Sequence, residues 1–288
     1  MMDTKTLKDM AKKFGADLVG IASMDRFASV PADQNPLSIF PQAKSMIVVG
    51  RKIPFGTMRA VEQSPANAAS YDKFGLFYLE DQFLAKTTYD LSVWVETEGY
   101  EAVPMFGYDA KAAARQPLGA PVAEDKPAPN VYVDWMFAAQ AAGLGEIGKN
   151  GLFLTPEYGP CQRLAMLVSD FEFTPDPAFA PRLCHDCQAC IDACPLQAFE
   201  PEVTTQEGLT GAETAVAQRH EALCAQCKNG AIQTNFGRFN TIDRIAAACG
   251  RACLAALTER GQVSKFKGGS FRSAPTWAVD LVGRKINA

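Results

Sequence analysis

The stretch "LCHDCQACIDACP" (183–195) constrains this chain more than any other part of it. It sets Cys184, Cys187, Cys190 and Cys194 at steps of three, three and four, with Pro195 next. Three thiolates at that spacing wrap one face of an iron–sulfur cube. The fourth, held before proline, ligates the other cluster where two are present. The pattern therefore predicts a second group of cysteines downstream. Cys224 and Cys227 supply one pair, and "CGRAC" supplies Cys249 and Cys253 at the same four-residue step as Cys190 to Cys194.

Crossed ligation, as in two-cluster ferredoxins, assigns Cys184, Cys187, Cys190 and Cys253 to one [4Fe–4S] cluster. It assigns Cys194, Cys224, Cys227 and Cys249 to the other. Two features depart from that pattern: a long insertion follows Cys227, and Leu254 rather than proline follows Cys253. The competing reading is one cluster plus a zinc ion on the second four cysteines, since zinc accepts thiolate pairs at long separations. Of the nine cysteines only Cys161 lies outside 184–253, and it reads as a small buried hydrophobe. His185 and His220 read as structural or solvent-facing.

Cysteines used this way fit a reducing compartment, where disulfides do not persist. The N-terminal "MMDTKTLKDMAKKFGADLVGIA" carries charge throughout and lacks the apolar core of a signal peptide or a twin arginine. There is no run of apolar residues long enough to span a bilayer. A cytoplasmic protein with no membrane contact is the expectation. A net charge of −4 gives no general pull toward nucleic acid, although Lys265, Lys267, Arg272, Arg284 and Lys285 make the C-terminal stretch locally basic.

The 288 residues fit one large domain or two modest ones. "TLKDMAKKFGADLVGIA" reads as helix then strand, "SMIVVGRKI" (45–53) as a buried strand, and about 70–98 as a long helix. "EAVPMF" (101–106) reads as strand, and 111–130, rich in Ala and Pro, as a long loop of the functional kind. "DWMFAAQAAGL" reads as helix, and "GLFLT" and "LAMLVSD" as strands. An α+β chain follows, divided at 1–172, 173–262 with the cysteines, and 263–288 as a basic tail without strong periodicity.

A cysteine segment is a wire for electrons, so the preceding residues must bind a cofactor, substrate or partner. "AAGLGEIGKNGLFLTPEYGP" (141–160) is the second signal. Gly143, Gly145, Gly148 and Gly151 permit close backbone approach to a ligand, and Lys149 and Asn150 suit an anionic or amide group. The stretch is no dinucleotide fingerprint, because a helix precedes it and a strand follows, the reverse of the required order. A purely structural turn is the plain alternative.

"AGLGEIGKNGLFLTPEYGP", a Pro-rich linker and CxxCxxCxxxCP in that order resemble the cobalamin-dependent superfamily of epoxyqueuosine reductases and reductive dehalogenases. "AKKFGADLVGIA", "PQAKSMIVVGRKIP" and "CGRACLAALTERG" add to the resemblance, which covers about 5–262. The resemblance implies a nitroreductase-like α/β core holding base-off cobalamin, followed by a ferredoxin-like segment with two [4Fe–4S] clusters. FMN is the alternative cofactor. It implies electrons from an external reductant such as ferredoxin or flavodoxin. It also implies a general acid at Asp134, which could equally be a plain N-cap of the following helix. Tyr108 and Tyr158 are the other candidate donors, and Arg59 and Arg115 the candidate anion binders. Two departures set the substrate apart. Glu146 stands where the epoxyqueuosine branch usually has Trp, and the chain has no helical-repeat extension of the kind that helps hold tRNA. The expectation is a reductase of a small molecule, with tRNA disfavoured. The competing functions are an electron-transfer protein, a tRNA epoxyqueuosine reductase and a flavin-dependent reductase.

Overall fold

The computed structural model describes residues 2–64, 69–107, 120–121, 123, 131–180, 183–234, 241–266 and 270–286. Helix α1 (Thr4–Lys13) starts where the Asp3 carboxylate accepts the Thr6 amide, and it ends on Lys12 and Lys13, which suit the negative end of its dipole. Strands β1 (Leu18–Ser23) and β2 (Ser45–Lys52) follow. Helix α2 (Phe55–Gln63) comes next, and then helix from Tyr71 that runs into α3 (Ala85–Thr97). The sequence predicts one helix over 70–98. The structure has the helix, but Tyr71–Phe77 and Leu79–Leu84 are wound as π-turns, a rare geometry frequent at functional sites.

Strand β3 (Ala102–Met105), helix α4 (Trp135–Ala141), the short pair β4 (Glu146–Ile147) and β5 (Phe153–Leu154), and β6 (Gln162–Ser169) complete the first part. The sheet order is β1-β2-β6-β3, antiparallel throughout. Strands β2 and β6 are central and covered on both faces, which is why they read as unbroken apolar runs. Ile47, Val49, Ala165 and Leu167 face α1 and α3, with Leu7 and Leu91. Met46, Val48, Met166 and Val168 face the opposite layer, built from α2, α4 and more distant chain.

That distant chain is the cysteine segment. It comprises α5 (Ala189–Asp192), the hairpin β7 (Phe199–Glu207) and β8 (Thr214–Arg219), and α6 (Glu221–Ala225). The short hairpin β9 (Ile232–Thr234) and β10 (Thr241–Asp243) and helix α7 (Ala248–Glu259) follow. Leu254 and Ala255 of α7 join the same apolar cluster as Met46 and Met166. The last residues, which show no periodicity, nevertheless pack. Phe271 is 1% exposed, β11 (Ala278–Val279) pairs with β12 (Lys285–Ile286), and Trp277 Nε1 donates to the Val61 carbonyl at 2.8 Å. The buried Glu62 carboxylate takes Arg251 at 2.7 Å and Arg272 at 2.6 Å, so one of the tail's cations is held by an internal pair. Among the described residues no helix is long and apolar enough to cross a membrane.

Candidate functional site

The eight clustered cysteines fall into two groups around α5 and α7. Cys249 and Cys253 sit four residues apart on α7, a step of about 6 Å along its axis, and both are buried. A small cavity of about 20 Å³ is lined by Cys194, Cys224, Cys227 and Cys249, with Pro195 and Phe199. The Cys253 thiol has Cys190, Cys184 and Cys187 as its strongest cysteine neighbours on the other side, with Cys161 of the core behind them. The four-residue steps Cys190–Cys194 and Cys249–Cys253 therefore run past each other, each giving one thiol to each group. Asp186 adopts a left-handed conformation (φ 50), turning the chain tightly between Cys184 and Cys187.

Burial is the largest influence on five of these thiols. It pushes Cys190 up to about 12, helped by Cys184 and Cys249, and Cys224 up to about 11 against the guanidinium charges of Arg219 and Arg244. Cys184, Cys249 and Cys253 are pushed up for the same first reason. Thiols this buried are kept as thiolates by a cationic centre, which is the linkage metal binding exploits. The sulfurs also receive donors: the Lys149 amide on Cys184 at 3.1 Å and the Ala198 amide on Cys194 at 3.4 Å. Among the described residues no three His, Cys, Asp or Glu side chains close on a single-ion site. His185 and His220 pair at the surface with Asp186 and Glu200, at 2.9 and 2.8 Å.

The glycine-rich turn lies against the first cysteine group. Glu146, 1% exposed, accepts the Leu183 amide at 3.0 Å and the Cys184 amide at 2.7 Å through one oxygen. The close approach that the glycines allow is to polypeptide. A Cβ on Gly145 would meet the Leu154 carbonyl, one on Gly143 the Pro177 carbonyl, and one on Gly148 the Leu154 side chain. Lys149 acts here through its backbone, with its carbonyl taking the Ala217 amide at 2.8 Å. Asn150 is 1% exposed, and its side-chain oxygen accepts the Leu152 amide at 3.0 Å while its Nδ2 has no partner. Of the predicted ligand contacts in the turn, Gly151 is the one on a cavity wall.

That cavity is a cleft of about 430 Å³ between the sheet and the two hairpins of the cysteine segment. Trp135, Met136, Gly151, Leu152, Phe153 and Leu164 form one side, and Thr205, Val216, Gln218, Arg219, Thr241 and Ile245 the other. Arg244 lines both this cleft and the cavity of the second cysteine group. Its Nη2 donates to the Asn150 carbonyl at 2.8 Å, its charge acts on Cys249, and its Nη1 has no hydrogen-bond partner. Arg219 stands beside it, and the two cations oppose each other. At the far end Arg163 bridges Glu80 (3.4 Å) and Asp243 (3.0 Å), and all three line the cleft.

The candidate acids fall unevenly around this cleft. Asp134 caps α4 by accepting the Phe137 amide at 2.9 Å, next to the cleft residue Trp135. Tyr158 packs in the core against Phe266, with its hydroxyl pushed up to about 12 by burial first. Tyr108, Arg115 and most of 111–130 lie outside the described residues. Arg59 donates to the Ser270 carbonyl at 2.7 Å, tying the tail down. Cys161 is fully buried in the core. Glu80, Arg163, Arg219, Asp243 and Arg244 escape the sequence reading. The only local hint is that Glu80 follows Leu76 at helical spacing on the apolar face.

Two cysteine groups, the second sharing Arg244 with a cleft lined by aromatic, aliphatic and charged side chains, are the features this fold assembles. By sequence the chain is related to the reductive dehalogenases and the epoxyqueuosine reductases, the superfamily its motifs resemble. It is 32% identical over 151 residues to a tetrachloroethene reductive dehalogenase of Dehalobacter restrictus, covering 50% of this chain and 23% of that one. It is 26% identical over 195 residues to an epoxyqueuosine reductase of Synechocystis, covering 67% of this chain and 57% of that one. The first dehalogenases it matches are covered over only 17% to 23% of their length. A solved reductive dehalogenase, whose dehalogenation is B12-dependent, shares the fold with a TM-score of 0.51 at 16% identity, over 77% of this chain and 28% of that one. No protein-family model matches the chain. Both related groups are reductases, consistent with an oxidoreductase.

Proposed function

We propose that the chain is a cobalamin-dependent iron–sulfur reductase. Residues 1–172 form the cofactor-binding part, 173–262 the two-cluster part, and 263–288 a strap across both. The observation that carries the reading is Arg244, shared between the second cysteine group and the large cleft. Cys184, Cys187, Cys190 and Cys253 hold one [4Fe–4S] cluster, and Cys194, Cys224, Cys227 and Cys249 the other. Four thiols lining one cavity, together with the three-three-four spacing of the first group, suit a cube.

The cleft fits a flat macrocycle. Its walls carry Trp135, Leu152, Phe153 and Ile245, with Arg163 and the buried Gln162, Asp243 and Arg244 as polar groups among them. Neither histidine of the chain lines it, which suits a corrinoid without histidine on cobalt. A corrinoid, when bound, supplies a low-potential centre for two-electron reduction. The chain's own residues do the rest. The second cysteine group lies next to the cleft floor. Arg219 and Arg244 lend it positive charge and raise its potential. An external reductant such as ferredoxin or flavodoxin feeds the first group. The substrate is a small molecule. FMN in the same cleft is the second reading, favoured by the orphaned Arg244 Nη1 on the cleft wall, which suits a phosphate.

The visible spectrum of the anaerobically purified protein tests this. Corrinoid bands on top of iron–sulfur absorption are expected. Flavin bands would replace the cofactor assignment, and iron–sulfur absorption alone after incubation with hydroxocobalamin would reduce the chain to an electron carrier.

A further inference from the structure

Reduction of a carbon–heteroatom bond consumes two electrons and a proton: R–X + 2e⁻ + H⁺ → R–H + X⁻. The electrons have a route through the cysteine groups from the external reductant. The proton needs a donor on the cleft wall, within reach of its contents. Asp134 is a weak choice on geometry, because its carboxylate is committed to the first turn of α4.

The far end of the cleft holds one guanidinium and two carboxyls. Arg163 Nη2 is 3.0 Å from Asp243 Oδ2, and the Tyr71 hydroxyl donates to the same oxygen at 2.6 Å. Arg163 also donates to the Gly75 carbonyl and the Tyr71 oxygen, both at 2.9 Å. Glu80 receives the longer contact, 3.4 Å from Arg163 Nη1. These side chains are nearly closed off, with Arg163 10% exposed, Asp243 5% and Glu80 17%. Arg163–Asp243 is the closer ion pair, and Glu80 shares the same guanidinium at longer range in a buried place.

Taking the cleft as the cofactor site proposed above, we propose that Glu80, which lines the cleft from the π-wound turn before α3, is its proton donor. Burial raises Glu80 to about 7, Arg163 pulls it down, and Asp243 and Asp81 push it up. A donor near neutral pH has the proton to give and a conjugate base stable enough to release it. Arg163, held by Asp243 and Tyr71, stabilises the carboxylate left behind, and solvent at the cleft mouth returns the proton.

The test has two arms on the full chain with its clusters. Infrared difference spectra across pH 5.5–8.5 should show a protonated carboxyl titrating near 7. Glu80→Gln should lose that band, and loading with hydroxocobalamin should move its midpoint in the wild type. Glutamine mimics the neutral acid, so the fold is kept. The second arm follows reoxidation of the reduced, cobalamin-loaded protein by protons. Glu80→Gln should slow it at least about tenfold and flatten its pH profile, and Glu80→Asp should restore part of the rate. A wild type without the band, a band that survives Glu80→Gln, or a rate unchanged by it would each overturn the proposal. A band intact in protein that takes up no cobalamin would sink the cofactor reading first, and leave Glu80 a neutral carboxyl with nothing to protonate. Rate loss in Asp134→Asn alone would transfer the role to Asp134.

Discussion

Glu146 is the sharpest test of how the glycine-rich turn serves the first cysteine group. Its one oxygen takes both the Leu183 and Cys184 amides, at 3.0 and 2.7 Å, with the carboxylate 1% exposed. Glu146→Ala leaves two buried amides without that acceptor, at about 1–3 kcal/mol each, or roughly 2–6 kcal/mol together. Glu146→Gln keeps an acceptor oxygen in place but removes its charge. Charge-assisted bonds contribute about 1.5–3 kcal/mol and neutral ones about 0.5–1.5, so glutamine should cost about 1 kcal/mol per bond. The order of stability in urea should be wild type, then glutamine, then alanine. Because Cys184 is fixed through its own amide, the alanine variant should also lose the first cluster. Iron and sulfide analysis should fall from about eight atoms of each to about four. Equal stability of all three proteins, or full iron in Glu146→Ala, would refute the claim that this carboxylate positions the cysteine.

Cys194→Ala and Cys249→Ala should each remove the second cluster and spare the first, and Cys253→Ala the reverse; electron paramagnetic resonance of the remaining cluster decides the crossed assignment. Arg244→Gln should lower the midpoint potential of the second cluster, read by redox titration, since it removes a cation beside Cys249. Gln218→Trp, on an exposed strand position lining the cleft, should block cobalamin uptake while iron content stays full. Glu80 makes stability depend on pH. Raised from 4.5 to about 7, it favours folding fully below about pH 4.5, and that stabilisation is lost as pH rises through about 7. The amount is at most roughly 3 kcal/mol, and Glu80→Gln should flatten this slope in denaturant titrations. A tRNA anticodon stem-loop should bind weakly at near-physiological salt, because such binding needs phosphate neutralisation and Arg272 is held by Glu62; a tight electrophoretic shift would favour the tRNA reading.

The cysteine pattern was legible because its short steps are local. Steps of three and four residues are set by one turn of chain, and their order survives in the linear text. The central strands were legible for a similar reason: Met46–Val49 and Leu164–Val168 are apolar on both faces because both faces are covered. The N-terminal helix and the cap at Asp134 follow from short-range hydrogen bonds. The glycines of 143–151 were visible as positions needing space, but sequence does not say what fills it, and here it is Leu154 and Pro177. The π-wound turns at 71–84 carry no pattern distinct from an α-helix. The tail has no period because it is held by single long-range contacts, Trp277 to Val61 and Arg272 to Glu62. The cleft itself belongs wholly to tertiary structure. Glu80, Arg163 and Asp243 are far apart in the chain, and each alone reads as an ordinary surface charge. Only when β6, β10 and the π-wound turn are packed together does one guanidinium face two carboxyls away from water, and that desolvation is what sequence cannot express.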